Sequence, residues 1–185
     1  KNTIVGTFRI DDRYAVRDID TGTDSVMLNV RGNKMYVSYT TDESGVIVPN
    51  CTDENGQTLE LAMTDADNQI YVINDERFAD GSIQPILLGD DNIPAISVTY
   101  DGIAWDFVET QEAGYCYLNK AGKLVKWEQI KNAKLLNEDA MSYRGHMWNV
   151  TIPLLGKHVL IGSGANTYMF EYPQDDYLGQ AYIYG

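Results

Sequence analysis

The sequence predicts an all-β fold, an antiparallel sandwich or barrel of about a dozen short strands, and three observations carry that expectation. Apolar and polar residues alternate over short stretches that end in turn residues, the pattern of a strand with one face buried. Two of those stretches are joined by Asp101-Gly102, and another pair by Gly32-Asn33, both chemistries of tight hairpin turns. Tyrosine occurs 13 times against 4 Phe and 3 Trp, and that excess suits half-exposed sheet surfaces.

Taken in chain order, Thr3 to Ile10 alternates and opens the sequence as a strand. Val26 to Val30 and Met35 to Tyr39 flank the first hairpin turn, and Ile96 to Tyr100 and Ile103 to Val108 flank the second. Val46 to Val48, Ile70 to Ile73, Ile86 to Leu88 and Tyr115 to Leu118 have the same character. Trp148 to Ile152, His158 to Ile161, Tyr168 to Tyr172 and Ala181 to Tyr184 extend the pattern to the last residues. In one stretch the period changes. Trp127, Ile130, Ala133, Leu135 and Leu136 recur at helical spacing, which predicts one short helix near residues 127–140. No fixed-period repeat is visible, which excludes a solenoid or propeller. Residues 1–185 read as one β domain, with residues 89–94 (Gly-Asp-Asp-Asn-Ile-Pro) as the place for an internal break.

Composition bounds the function. Hydrophobic residues make up 44% and charged residues 22%, enough apolar material for a packed core. Lys and Arg number 14 against 27 Asp and Glu, a formal charge of -13 with a pI near 4.4. So acidic a chain is repelled by phosphate backbones and anionic headgroups, which argues against nucleic-acid and membrane-surface partners. No apolar run approaches the roughly 18–20 residues that span a bilayer. The chain opens on Lys1 without a signal-like apolar region, as a processed mature chain or an excised piece would, and the expected location is extracellular or surface-exposed, including a virion.

The charge is segregated. Residues 1–119 carry 21 acids and 7 bases, and residues 120–185 carry 6 acids and 7 bases. Five of the eight lysines, Lys120, Lys123, Lys126, Lys131 and Lys134, fall within fifteen residues. They form a candidate docking patch for an acidic face on a second copy, together with the terminal tyrosines Tyr182 and Tyr184. The bland alternative is a solvated, lysine-rich helix. Trp105 and Trp148 are candidates for stacking on a glycan.

Catalytic and metal motifs are scarce. Asp18, Asp20 and Asp24 space carboxylates around turn residues as a calcium loop does, but turn preference alone is the favoured explanation. Acid pairs such as Asp75-Glu76, Asp90-Asp91 and Asp175-Asp176 could serve a glycan hydrolase, but 27 acids supply so many pairs that none is singled out. Cys51 and Cys116 fit no metal spacing and could form one disulfide. Two histidines without a His-Glu-x-x-His motif argue against a zinc hydrolase. The segment Ile4-Val5-Gly6-Thr7-Phe8 is similar over five residues to the Gly-x-Trp motif that opens lipocalin-like barrels, with Phe8 in place of the Trp. The resemblance implies a small-ligand barrel as one alternative. The reading the sequence favours is a non-enzymatic surface protein that works through protein contact, self-assembly included, with a small-ligand or glycan-binding module and an acid-pair hydrolase as its rivals.

Overall fold

The computed structural model describes residues 14–43, 45–127, 140–158 and 173–184. They fall into two compact units, one formed by Tyr14–Trp127 and the other by residues 1–13 and 128–185.

The first unit is the β-sandwich. Strands β1 (Val16–Thr21), β2 (Val26–Val30), β3 (Asn33–Thr41) and β4 (Ile47–Asp53) form a four-stranded sheet in sequence order. Strands β5 (Leu61–Asp65), β6 (Ile70–Ile73), β7 (Ser82–Leu88), β8 (Ile93–Tyr100), β9 (Ile103–Thr110), β10 (Gly114–Leu118) and β11 (Leu124–Val125) form a seven-stranded sheet, again in sequence order. Every pairing is antiparallel, so the chain is one long meander cut in two between β4 and β5. The sheets pack with β3 and β4 against β7 and β8, and with β1 against β10.

The alternation expected from the sequence is what packs the core. Val26, Leu28 and Val30 of β2 and Met35, Val37 and Tyr39 of β3 are buried, while the residues between them are not. Ile96, Val98, Tyr100, Trp105, Phe107 and Tyr115 of the larger sheet are buried as well. Two tyrosines sew the layers together. The Tyr115 hydroxyl accepts a hydrogen bond from the Tyr39 backbone N–H at 2.9 Å, and the Tyr39 hydroxyl donates to the Pro94 carbonyl at 2.8 Å. The two rings meet edge to face at 5.7 Å. Burial raises the pKa of both hydroxyls.

The hairpins explain the register. Asp101 and Gly102 have φ of 52° and 76°, the left-handed pair a type I′ turn needs. At the other hairpin the turn is Arg31-Gly32, one residue earlier than Gly32-Asn33, with φ of 52° and 95°; Asn29 Oδ1 accepts from Gly32 N–H and fixes it. Residues 89–92 are the turn of the β7–β8 hairpin, so the expected internal break near 89–94 lies within one sheet. Three described strands, β1, β5 and the two-residue β11, were not expected from the sequence. β1 carries a bulge between Val16 and Asp18 that breaks its alternation, and β5 is too exposed to have one.

In the second unit, α1 (Ala140–His158) and α2 (Tyr177–Tyr184) occupy segments expected to be strands, Trp148 to Ile152 and Ala181 to Tyr184. The physical reason is visible in both. On α1, His146, Asn149 and Val150 are buried at helical spacing, while Met147, Trp148 and Leu155 are exposed on the opposite face. α2 is capped by Asp176, whose Oδ1 accepts from Gly179 N–H at 3.1 Å. No described helix is long and apolar enough to cross a membrane. The helix expected near residues 127–140 lies outside the described residues except at its ends, as do the strands expected at 3–10 and 168–172 and the one expected at 158–161 apart from His158, which ends α1; Trp127 is buried in the sandwich, with its ring 5.0 Å from that of Tyr117.

Tyr115→Phe keeps the ring and leaves the buried Tyr39 N–H without its acceptor. Loss of about 1–3 kcal/mol is expected from the shift in denaturant midpoint at constant slope. A change below about 0.5 kcal/mol would mean that the bond between the layers contributes nothing.

Candidate interaction surface

A sheet in a meander has two ends, and each end strand presents a row of backbone groups that only one neighbour can satisfy. The two sheets therefore give four edges, and three of them are blunted. The outer edge of β4 carries Pro49, which has no N–H to offer, and its last residues are taken up by the following chain. Leu59 N–H donates to the Cys51 carbonyl and Asp53 N–H to the Gln57 carbonyl, with a bridge between Thr52 and Thr58. β1 is bulged and charged, and its end is tied down: Tyr115 N–H donates to the Gly22 carbonyl and Trp127 N–H to Thr21 Oγ1. β11 is only two residues long and follows Lys123.

The fourth edge is β5. Its sequence, Leu61-Ala62-Met63-Thr64-Asp65, has no charge before its last residue and no proline. Ala62, Met63 and Thr64 are exposed, Met63 by 50%. Inward it pairs with β6 through Leu61, Ala62, Met63 and Asp65, and among the described residues no strand pairs with its outer side. The bulge between Met63 and Asp65 is its one protective feature.

The lysine patch resolves into residues with different tasks. Lys120 and Lys123 are exposed on the β10–β11 hairpin, whose turn is held by Asn119 Oδ1 accepting from the N–H groups of Ala121 and Lys123. Lys126 is a clamp. Its Nζ donates to the carbonyls of Tyr115 at 2.9 Å, Thr21 at 3.1 Å and Gly22 at 3.4 Å, joining β1 to β10. Lys131 and Lys134 lie outside the described residues. Tyr182 is buried on α2, which places it in packing and removes it from a docking surface, and Tyr184 ends the same helix.

The remaining candidates separate in the same way. Trp105 is wholly buried in the sandwich, so it cannot stack on a glycan, whereas Trp148 is 49% exposed on α1. It lines a depression of about 300 Å³ with Arg144, Met147 and Thr151. Asp18 and Asp20 lie on β1 and Asp24 on the turn after it, and among the described residues no group of three or more His, Cys, Asp or Glu is placed to hold a metal ion. Cys51 and Cys116 are both buried free thiols, not the disulfide their number allowed, and burial pushes the Cys51 pKa up to about 12. Such thiols are inert packing groups. A wider groove of about 520 Å³ runs between Val46, Asp67, Asn68, Gln84, Pro85 and Leu87.

Two of the three acid pairs have members engaged within the structure. Asp75 caps a 3₁₀ turn at Glu76–Phe78 and binds Arg77 at 2.8 Å, Arg77 also reaches Asp53 at 3.3 Å, and the guanidinium lies over the Phe78 ring. Asp176 Oδ2 lies 2.9 Å from Nε2 of the buried His146, which staples α2 to α1. Gly179 makes room for this pair, since a Cβ there would sit 2.5 Å from His146 Cε1. Asp90 and Asp91 are exposed in a hairpin turn. The His146–Asp176 pair was not legible in the sequence, because the two residues are 30 positions apart and neither belongs to a motif.

Three carboxylates are held below their ordinary range. The backbone N–H of Gln57 is the main cause for Asp53, the Asn68 side chain for Asp65, and the Arg77 side chain for Asp75. A carboxylate whose folded pKa is depressed stabilises the fold above its unfolded pKa, and loses that contribution as pH falls through the depressed value. The Tm is therefore expected to fall as pH drops below about 4, and Arg77→Met is expected to flatten that slope. An unchanged slope in the variant would contradict the assignment. Lys126→Met is expected to cost about 1–2 kcal/mol by denaturant unfolding, while Lys123→Met changes stability by less than about 0.5 kcal/mol. Equal effects would show that Lys126 is no clamp. No protein-family model, curated protein or solved structure matches this chain.

Proposed function

We propose that the protein is a non-enzymatic structural or interaction module that works by strand addition, with β5 taking up an extended strand from a partner protein and a second copy of the chain as the first partner to test. One observation carries the reading: of the four sheet edges among the described residues of the sandwich, β5 alone is longer than two residues, uncharged at its centre and free of proline. An added strand would bond to its outer backbone and cover the exposed Ala62 and Met63. Asp75 and the His146–Asp176 pair, which could have argued for catalysis, have structural partners. The groove beside Val46 and Gln84 favours a second reading, a glycan or small-ligand binder, because it joins apolar walls to side-chain amides.

Light scattering on the full chain across a concentration series separates the two. Strand addition predicts a mass that rises with concentration. Neighbouring residues of a strand turn their N–H groups to opposite edges, so one of Ala62→Pro and Met63→Pro removes only an outward donor. The variant that keeps the wild-type circular dichroism and Tm is expected to be monomeric. A wild-type chain that stays monomeric throughout, and shows chemical-shift changes on a glycan panel at residues 67, 68 and 84, would replace this reading with the second.

A further inference from the structure

The two ends of the seven-stranded sheet carry opposite charge. At one end stands β11, with Lys120 and Lys123 exposed on its hairpin. At the other stands β5, flanked by the exposed Glu60 and Asp67 and ending in Asp65. Asp65 is fixed as a carboxylate by the Asn68 amide at 2.8 Å and the N–H groups of Asp67 and Asn68 at 3.0 Å. Lys126 adds its charge to the same end, but its ammonium is held by three carbonyls of its own chain, which leaves Lys120 and Lys123 to reach a neighbour.

Charge decides which edges can meet. Pairing β5 with a second β5 brings carboxylates toward carboxylates, and pairing β11 with a second β11 brings lysines toward lysines. Both arrangements are disfavoured, because like charges on facing strands repel. The mixed pairing alone brings opposite charges together. Its direction follows from where the charges sit. Lys123 precedes β11 and Asp65 and Asp67 close β5, so antiparallel strands set Lys123 beside two aspartates, whereas parallel strands would set it beside Glu60 alone, whose carboxylate already accepts from the Asn74 amide at 3.0 Å.

We propose that the occupant of the β5 edge is the β11 edge of a second copy of this chain, docked antiparallel, so that copies add head to tail and their seven-stranded sheets run on into one another. The inference rests on the reading of β5 as a strand acceptor and names its partner. Such a contact is heterologous, because each copy uses a different edge, and it leaves one free β5 and one free β11 at the ends of every oligomer. β11 is short, so each contact is small and association is weak and favoured by high concentration.

The test is a charge-reversal exchange on the full chain, read by sedimentation or light scattering. The double variant K120E/K123E and the single variant D67K each place like charges at the contact, and each is expected to associate at least about tenfold more weakly than wild type. Both sets of positions are exposed, and unchanged Tm and circular dichroism confirm that the fold survives. Mixed in equal amounts, the two variants are expected to recover association, since the unreversed β11 of D67K then meets the unreversed β5 of K120E/K123E, and the reversed β11 of the latter meets Lys at position 67 of the former. Failure of the mixture to recover would overturn the inference. Variants that associate like wild type, while the proline variant in β5 does not, would overturn the head-to-tail partner and keep strand addition, leaving a different strand as the occupant. A wild-type chain monomeric at every concentration would overturn both.

Discussion

Seven strands cannot be covered by four, and the mismatch between the two sheets governs much of what this protein presents to a partner. The four-stranded sheet lies over β7 to β10, where Ile83, Ile96, Val98, Trp105, Phe107 and Tyr115 are buried. Beyond it the larger sheet continues through β6 to β5, whose side chains are mostly wet. Strands in that position are held by backbone pairing to one neighbour and by little else. A lone hairpin is marginal in water, so β5 and β6 keep their place because β7 extends the sheet into the core. Among the described residues, no strand pairs with the outer edge of β5.

The rest of the sandwich shows how such edges are normally closed. The chain after β4 folds back along it through Gln57 and Leu59 before entering β5. Lys126 and Trp127, just past β11, return to the end of β1 and bind it through Thr21 and Gly22. These closures need sequence-distant partners: two of the three carbonyls that receive Lys126 belong to residues 104 and 105 positions away, and Tyr39 finds Tyr115 across 76. Contacts of that separation fold slowly, and they tie the sandwich as one cooperative body.

Much of this architecture was legible in the sequence, and the exceptions have physical causes. The alternation of Val26, Leu28 and Val30 against Met35, Val37 and Tyr39 announces two paired strands with one buried face, and Asp101-Gly102 announces their counterpart in the other sheet. β5 was invisible because alternation records burial, and an edge strand outside the core has little burial to record. The segment from Trp148 to Ile152 misled because a helix buries residues at a spacing of three to four, and here the buried members are His146 and Asn149 while Met147 and Trp148 face out. Composition pointed to the lysines, but it could not tell the clamp, Lys126, from the exposed Lys120 and Lys123. That distinction depends on which carbonyls the fold brings within 3.4 Å. The acidic turns were legible as turns: Asp53 and Asp65 accept backbone N–H groups two to four residues on, the ordinary work of aspartate in such loops.

The central claim is that the outer edge of β5 is an acceptor for another strand. Amide hydrogen exchange at Leu61 to Asp65, followed in the full chain as protein concentration is raised, reports directly on it. The account predicts that alternate amides, those facing away from β6, gain protection with concentration while those bonded to β6 stay as they were. Exchange at the outward amides that remains fast at concentrations where the solution mass has risen would show that the chain associates by some other surface, and would contradict it.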